Sequence, residues 1–328
     1  MVTSRVFGDI KAEDDYTHPL GPEKNFNESM YFNFFDRGQG RGGFLRIGNR
    51  ANERDAEVTL CLYLPGGEVM FNYKRPEITG NDGFDAGGMK FEVLEPLARH
   101  RTTYEGSAVF LAEPEQMTDP GQAFSENPHR RVSLELVHEG VGPVFGSAGL
   151  QRETADPERE FARAHYEQHM RVRGTLAIDG ESVEIDGLGL RYHSWGPRYW
   201  QALKYYRWLN CTFGPDFGFM VSEVCPHDSE PTRTGVIVRD GAIERITGVE
   251  IETEYAAGTQ HHRRISARLA VEGRGSVLLE GDVKAYIPLR NRRAGMVTHI
   301  GEGMTEYRCE GRTGLGISEY LDQIDPVA

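Results

Sequence analysis

The chain is punctuated by tight-turn signals at intervals of roughly 8–12 residues, with short segments of alternating polarity between them. That spacing leaves no room for βαβ units and is the spacing of an antiparallel sandwich or barrel. Pro65-Gly66-Gly67 turns the chain between strands expected at 56–64 and 68–73. Asp179-Gly180 does the same between 170–178 and 182–185. Further strands are expected at 30–35, 44–48, 89–94, 101–111, 132–137, 205–213, 218–224, 236–239, 243–251, 262–271, 276–287 and 304–309. Residues 314–321 close the chain as a strand or a short helix. Residues 1–25 are polar and read as an arm over the surface.

One segment breaks this pattern. Residues 156–169 read as a helix, with Asp156 as cap, Pro157 in the first position and acids in the first turn. On such a helix His165 and His169 stand one turn apart, a spacing that holds metals. Glu167 lies off that face and no third ligand is near, so no metal is expected.

With 328 residues the chain is long enough for two domains. Leu176-Ala177-Ile178-Asp179-Gly180 echoes Leu269-Ala270-Val271-Glu272-Gly273, as a duplicated β domain would. The formal charge of −13 gives no global attraction for phosphate backbones, so nucleic acid is not an expected partner. The four cysteines are scattered and read as reduced thiols. The N-terminus lacks a secretory h-region and no run of eighteen apolar residues occurs. A cytoplasmic location without a membrane span is expected.

The densest chemistry lies between Gly187 and Trp200. Two Trp, two Tyr, two Arg, one His and one Ser fall within fourteen residues. A buried strand is ordinarily richer in Val, Ile and Leu. Aromatic faces, cations and an imidazole suit the wall of an apolar pocket; a turn carrying satisfied core groups fits the same spacing. His193 is the side chain here best suited to move a proton near neutral pH.

Other motifs fail on context. Gly38-Gln39-Gly40-Arg41-Gly42-Gly43 satisfies G-x-G-x-x-G, but the strand-like Phe44-Leu45-Arg46-Ile47 follows it where a dinucleotide site needs a helix. Tyr192-His193-Ser194-Trp195-Gly196 lacks the first glycine of a nucleophile elbow. His261-His262 read as a solvated strand end. Asp282 and Glu223 are acids within apolar runs, and either becomes a usable acid if it faces inward.

The run Gly187-x-Gly189-x-Arg191-x-His193-Ser194-Trp195-Gly196-Pro197-Arg198 resembles the signature of the hydroxyneurosporene synthase (carotenoid 1,2-hydratase) and AttH-like superfamily. Asn27-Glu28-Ser29-x-Tyr31-Phe32-Asn33-Phe34, His165-Tyr166-Glu167-Gln168-His169 and the run from Glu302 to Tyr320 look like an uncharacterised bacterial branch of it. The resemblance implies an all-β protein of two lipocalin-like antiparallel barrel or sandwich domains, divided here as 1–190 and 191–328, with one short helix. It implies a pocket at or near their junction, no cofactor, and a hydrophobic small molecule as partner; a homo-oligomer is left open.

Many members carry Asp where this chain has Tyr192. The hydratases also carry a Tyr and an Asp on a following strand, where residues 219–223 offer only Glu223. The expected activity is that of a cofactor-independent hydratase, lyase or cyclase acting on a terpenoid, steroid-like or aromatic compound. His193 and Glu223 would move the proton. Trp195, Trp200, Tyr192 and Tyr199 would wall the substrate, and Arg191 and Arg198 would lock the loop or hold a substrate oxygen. The alternative is a carrier that binds a hydrophobic ligand without chemistry.

Overall fold

The computed structural model describes residues 5–148, 160–293 and 295–324. Its regular structure is almost entirely antiparallel β, as the turn spacing requires. The strands up to the middle of the chain are β1 (Val6–Phe7), β2 (Phe26–Asp36), β3 (Arg41–Arg50), β4 (Asp55–Tyr63), β5 (Val69–Lys74), β6 (Phe84–Ala86), β7 (Met89–Glu95), β8 (Arg99–Leu111), β9 (His129–Ser147), β10 (Ala164–Ile178) and β11 (Glu181–Pro197). Then come β12 (Leu203–Gly214), β13 (Phe217–Pro226), β14 (Thr232–Arg239), β15 (Ala242–Tyr255), β16 (His262–Val271), β17 (Gly275–Arg293), β18 (Met296–Cys309) and β19 (Arg312–Ile324). Among the described residues the one α-helix is α1 (Pro120–Glu126).

The chain divides into two compact units. The first comprises residues 1–62, 70–110 and 127–199; the second comprises 63–69, 111–126 and 200–328. In the first unit β8 is hydrogen-bonded to β9 as well as to β5. The order β9-β10-β11-β2-β3-β4-β5-β8 therefore returns on itself. Phe32 of β2 points inside this ring, where it meets Phe91, His100 and His138 from the far wall. In the second unit β12 to β19 form a closed barrel in chain order. Its interior is filled by Leu209, Phe219, Ile237, Ile265, Leu269 and Leu279, none of them exposed. Each such side chain contributes about 1.5–3 kcal/mol on burial.

The turns follow their residue types. Asp179-Gly180, Asp240-Gly241 and Glu310-Gly311 all have positive φ at both positions. That is the type I′ geometry that matches the twist of paired strands. The two echoing segments are hairpin ends, β10–β11 in the first unit and β16–β17 in the second.

Three expectations are overturned. Residues 164–169 are the start of β10, not a helix; residues 156–159 of that expectation lie outside the described residues. His165 and His169 therefore stand roughly 13 Å apart along an extended strand, too far to share an ion. The second concerns the stretch from Gly187. It is buried strand as far as Pro197, despite its few aliphatic residues. Arg191 and His193 are tolerated inside because Asp15, Gln168 and Glu28, from other parts of the chain, pair with them. His262 is likewise buried rather than solvated.

Candidate active site

Strand alternation sorts the stretch on β11 into two faces. Arg191, His193 and Trp195 share the inner face with Tyr166 and Gln168 of β10 and with Glu28, Met30 and Phe32 of β2. The register pairs Tyr166 with His193 and Gln168 with Arg191; on the other side it pairs His193 with Met30 and Trp195 with Glu28. Tyr192 and Ser194 point the other way.

A continuous chain of buried polar groups results. The side chains of Glu28 and His193 are fully buried. His193 Nε2 donates to Glu28 Oε1 at 3.0 Å, and His18 Nδ1 donates to the same oxygen at 2.6 Å. The backbone N–H of His18 donates to Glu28 Oε2 at 2.8 Å, and Asn81 Nδ2 donates to it at 2.5 Å. On the other side of His193, Nδ1 faces Tyr166 Oη at 3.4 Å. Tyr166 Oη donates to Asp15 Oδ1 at 2.7 Å. Its single proton is thereby committed, so its oxygen is an acceptor toward His193. A proton that arrives on His193 is met by an acceptor at each nitrogen.

The chain ends in a second buried ion cluster. Arg191 Nη1 donates to Asp15 Oδ1 at 2.6 Å, and His100 Nε2 donates to Asp15 Oδ2 at 2.9 Å. The Leu97 backbone N–H donates to the same carboxylate. Gln168 holds the guanidinium from the other side, its Oε1 accepting from Arg191 Nε and Nη2 at 3.1 and 3.0 Å.

The electrostatics follow from this pairing. Burial alone would raise Glu28, but the hydrogen bonds from His18 and His193 outweigh it and hold the carboxyl at about 2. Burial alone would lower His18; Glu28 and then Asp14 reverse this and raise it. Asp15 is opposed by burial yet held well below the usual range by Arg191 and His100. Burial pushes Tyr166 well above the ordinary phenol value. Of the His18–Glu28–His193 triad, only His18 reaches solvent, with its side chain 19% exposed. Trp195 lies stacked on it.

His18, Glu28 and His193 each offer one ligand atom, all within 4.8 Å of one another. Two imidazoles and a carboxylate at that spacing can take a divalent cation. The direct hydrogen bonds at 2.6 and 3.0 Å account for the arrangement as a proton-sharing triad.

The other sequence candidates stand elsewhere. Tyr192 stacks on Tyr31, with centroids 4.8 Å apart, on the outer face of the sheet. Ser194 Oγ accepts from Arg198 Nη2 at 2.7 Å. Arg198 is buried over the Phe161 ring, and burial lowers it to about 10. The backbone N–H of Tyr199 donates to Glu160 O at 3.0 Å. Trp200 begins a 3-10 turn in the second unit. Glu223, on β13, accepts from Tyr205 Oη at 2.9 Å and from Arg233 Nε at 2.6 Å. The carboxylate bonded to His193 is Glu28.

Sequence reasoning assigned no role to His18, Glu28, Tyr166 or Asp15. Glu28 and Tyr166 do lie inside the segments that carry the resemblance, the one available signal. His18 and Asp15 lie in the arm read as surface.

A ring of eight strands and a closed eight-stranded barrel define a protein of the two-part antiparallel β class. The chain belongs to the family described as Domain of unknown function (DUF7064), which matches residues 11–324. No curated protein matches it in sequence. Solved structures share its fold. A provisional AttH of Nitrosomonas europaea is 16% identical with a TM-score of 0.61, over 93% of this chain and 95% of that one. CghA bound to Sch210972 is 12% identical with a TM-score of 0.55, over 91% and 89%. Kievitone hydratase of Nectria haematococca is 10% identical with a TM-score of 0.55, over 92% and 89%. No helix among the described residues is long and apolar enough to cross a membrane.

Proposed function

We propose that the protein is a cofactor-independent hydratase of the AttH-like superfamily that acts on an apolar alkene of terpenoid, steroid-like or aromatic type. The observation that carries this reading is the Glu28 oxygen shared by His18 and His193. A carrier has no use for two imidazoles on one buried carboxylate; a general acid–base does. His18 is the member that meets substrate, because it alone of the triad reaches solvent. The His18 N–H gives its proton to one alkene carbon, forming a C–H bond and leaving the other carbon cationic. The Trp195 face stabilises that cation. Water adds to the cationic carbon and gives up a proton, which returns to the triad. The reverse sequence is dehydration. That a kievitone hydratase shares the fold supports the reaction class.

A carrier reading keeps one observation in its favour, the closed barrel of the second unit, since such barrels often only enclose a ligand. The two are separated by incubating the full chain with a panel of apolar alkenes, kievitone included, in oxygen-18 water or in deuterium oxide. Hydration places oxygen-18 and one carbon-bound deuterium in the product, and Glu28→Gln lowers the rate by about 10²-fold or more. Retention of a panel member in native mass spectrometry, with no label in it, rejects the enzyme.

A further inference from the structure

Each member of the His18–Glu28–His193 triad has a second polar atom, and each of these is held from outside the triad. His18 Nε2 lies 3.3 Å from Asp14 Oδ1. His193 Nδ1 lies 3.4 Å from Tyr166 Oη. Glu28 Oε2 accepts from the His18 backbone N–H and from Asn81 Nδ2. The outer partner of each imidazole is an acceptor: Asp14 is a carboxylate, and the Tyr166 hydrogen is committed to Asp15. Outer acceptors of this kind draw hydrogen to the far nitrogen of a ring and leave the near nitrogen as a lone pair. Metal-binding imidazoles are oriented in the same way, with one nitrogen on the ion and the other donating to a carboxylate or a similar acceptor.

The hydrogen bonds to Glu28 ask for the opposite, a hydrogen on His18 Nδ1 and on His193 Nε2. Both demands are met at once only if each ring carries two hydrogens, which puts two positive charges beside Glu28. A divalent cation supplies the same two charges while the rings keep only their outer hydrogens. Among the described residues this is the one group of three or more His, Cys, Asp or Glu side chains that gathers its ligand atoms in this way, all within 4.8 Å. Bonds of about 2.0–2.2 Å set the ligands of a tetrahedral ion roughly 3.3 Å apart. The contacts at 2.6 and 3.0 Å then open by roughly 0.3–0.7 Å. His18 supplies that movement, because its side chain is 19% exposed and it lies outside any strand.

We infer that the triad is also a zinc site, with His18 Nδ1, Glu28 Oε1 and His193 Nε2 as its three protein ligands. Water takes the fourth position, on the side where His18 reaches solvent. Two nitrogens and one carboxylate oxygen suit Zn²⁺ or Co²⁺ and not the all-oxygen shells of Mg²⁺ and Ca²⁺. The hydrogens held toward Glu28 give way to the ion, passing to solvent or to the far nitrogen of the same ring. The ion and the shared hydrogens therefore exclude each other. Binding stands without the function proposed above; that bound zinc also stops hydration rests on that function.

The test is calorimetric titration of the full chain, freed of metal by chelation, with Zn²⁺. Co²⁺ is added separately and followed by the visible absorption of its tetrahedral complexes. One Zn²⁺ should bind per chain, and Mg²⁺ in large excess should not displace it. His18→Gln and Glu28→Gln should each abolish the Co²⁺ band. Asp14→Ala leaves all three ligands in place and should weaken Zn²⁺ about tenfold. His165→Gln removes a partly exposed imidazole outside the triad and should change nothing. His18 is itself partly exposed, so His18→Gln should fold, and its melting without metal checks this. No stoichiometric binding, or binding unmoved by His18→Gln and Asp14→Ala, overturns the site. Hydration that continues at full rate in the zinc-loaded chain overturns the mutual exclusion. A metal-free chain that hydrates no alkene yet binds Zn²⁺ through the triad rejects the hydratase and leaves the zinc site standing.

Discussion

The indole of Trp195 lies flat on the imidazole of His18, with ring centroids 3.9 Å apart and planes 14° apart. This contact joins the N-terminal arm to β11. It places a π face against the one imidazole of the triad that solvent can reach. His18 thus has a carboxylate at its ring nitrogen and an aromatic plane on its face. The pairing raises His18 by charge, and the stacking fixes its orientation.

Removing the carboxylate should let burial lower His18. In Glu28→Gln the His18 titration midpoint, followed by the imidazole proton resonances, should fall below that of the parent. Burial is then opposed by Asp14 alone of the two acids. An unchanged midpoint would mean that Glu28 does not set the charge on His18.

The same triad fixes a pH window for stability. Glu28 is depressed from 4.5 to about 2, so its contribution is complete above 4.5 and disappears as pH falls toward 2. That difference amounts to about 3 kcal/mol. His18 is raised from 6.5, so its contribution is complete below 6.5 and is lost as pH rises through the raised value. Denaturant unfolding across pH should therefore show both contributions intact between 4.5 and 6.5. In Glu28→Gln the acid limb should flatten.

Asp15→Asn tests the far end of the chain. It leaves the Arg191 guanidinium, which is fully buried, without its countercharge. Breaking a buried pair from one side costs about 3–5 kcal/mol. Urea unfolding should show a loss of that size. A loss under 1 kcal/mol would mean that water reaches Arg191.

The strands and hairpins were legible because their signals are local. Asp179-Gly180 announces a type I′ turn, and the alternation around residues 56–64 announces β4. The start of β10 was not legible. Ala164, Tyr166 and Gln168 are buried on one face, and Glu167 and His169 are buried on the other, so no alternation survives. Capping signals at Asp156 and Pro157 then favoured a helix. The candidate site was half legible. His193 and Trp195 stood out by type, whereas Glu28 is 165 residues from His193 and His18 still further. Their meeting depends on β2 pairing with β11, which no local pattern encodes.

Two glycines of the β10–β11 hairpin separate conformational from steric demand. Gly180 has φ of 88° and open space where a Cβ would lie. Gly180→Ala therefore costs only the left-handed backbone, about 1–2 kcal/mol, and Gly180→Asn should cost less. Gly189 has no positive φ, but a Cβ there would collide with the carbonyl oxygen of Asn33 on β2. That oxygen is backbone and cannot swing aside. Leu190, next in line, also donates its N–H to Asn33 Oδ1 at 2.6 Å, so strand separation breaks a buried bond as well. Gly189→Ala should thus destabilise by about 2–3 kcal/mol. Because β2 carries Glu28 and β11 carries His193, the same shift should lengthen their contact. The two variants, compared by thermal melting and by the His193 imidazole resonance, should differ in both readouts. Gly180→Ala should lower the melting temperature alone, and Gly189→Ala should also move the resonance.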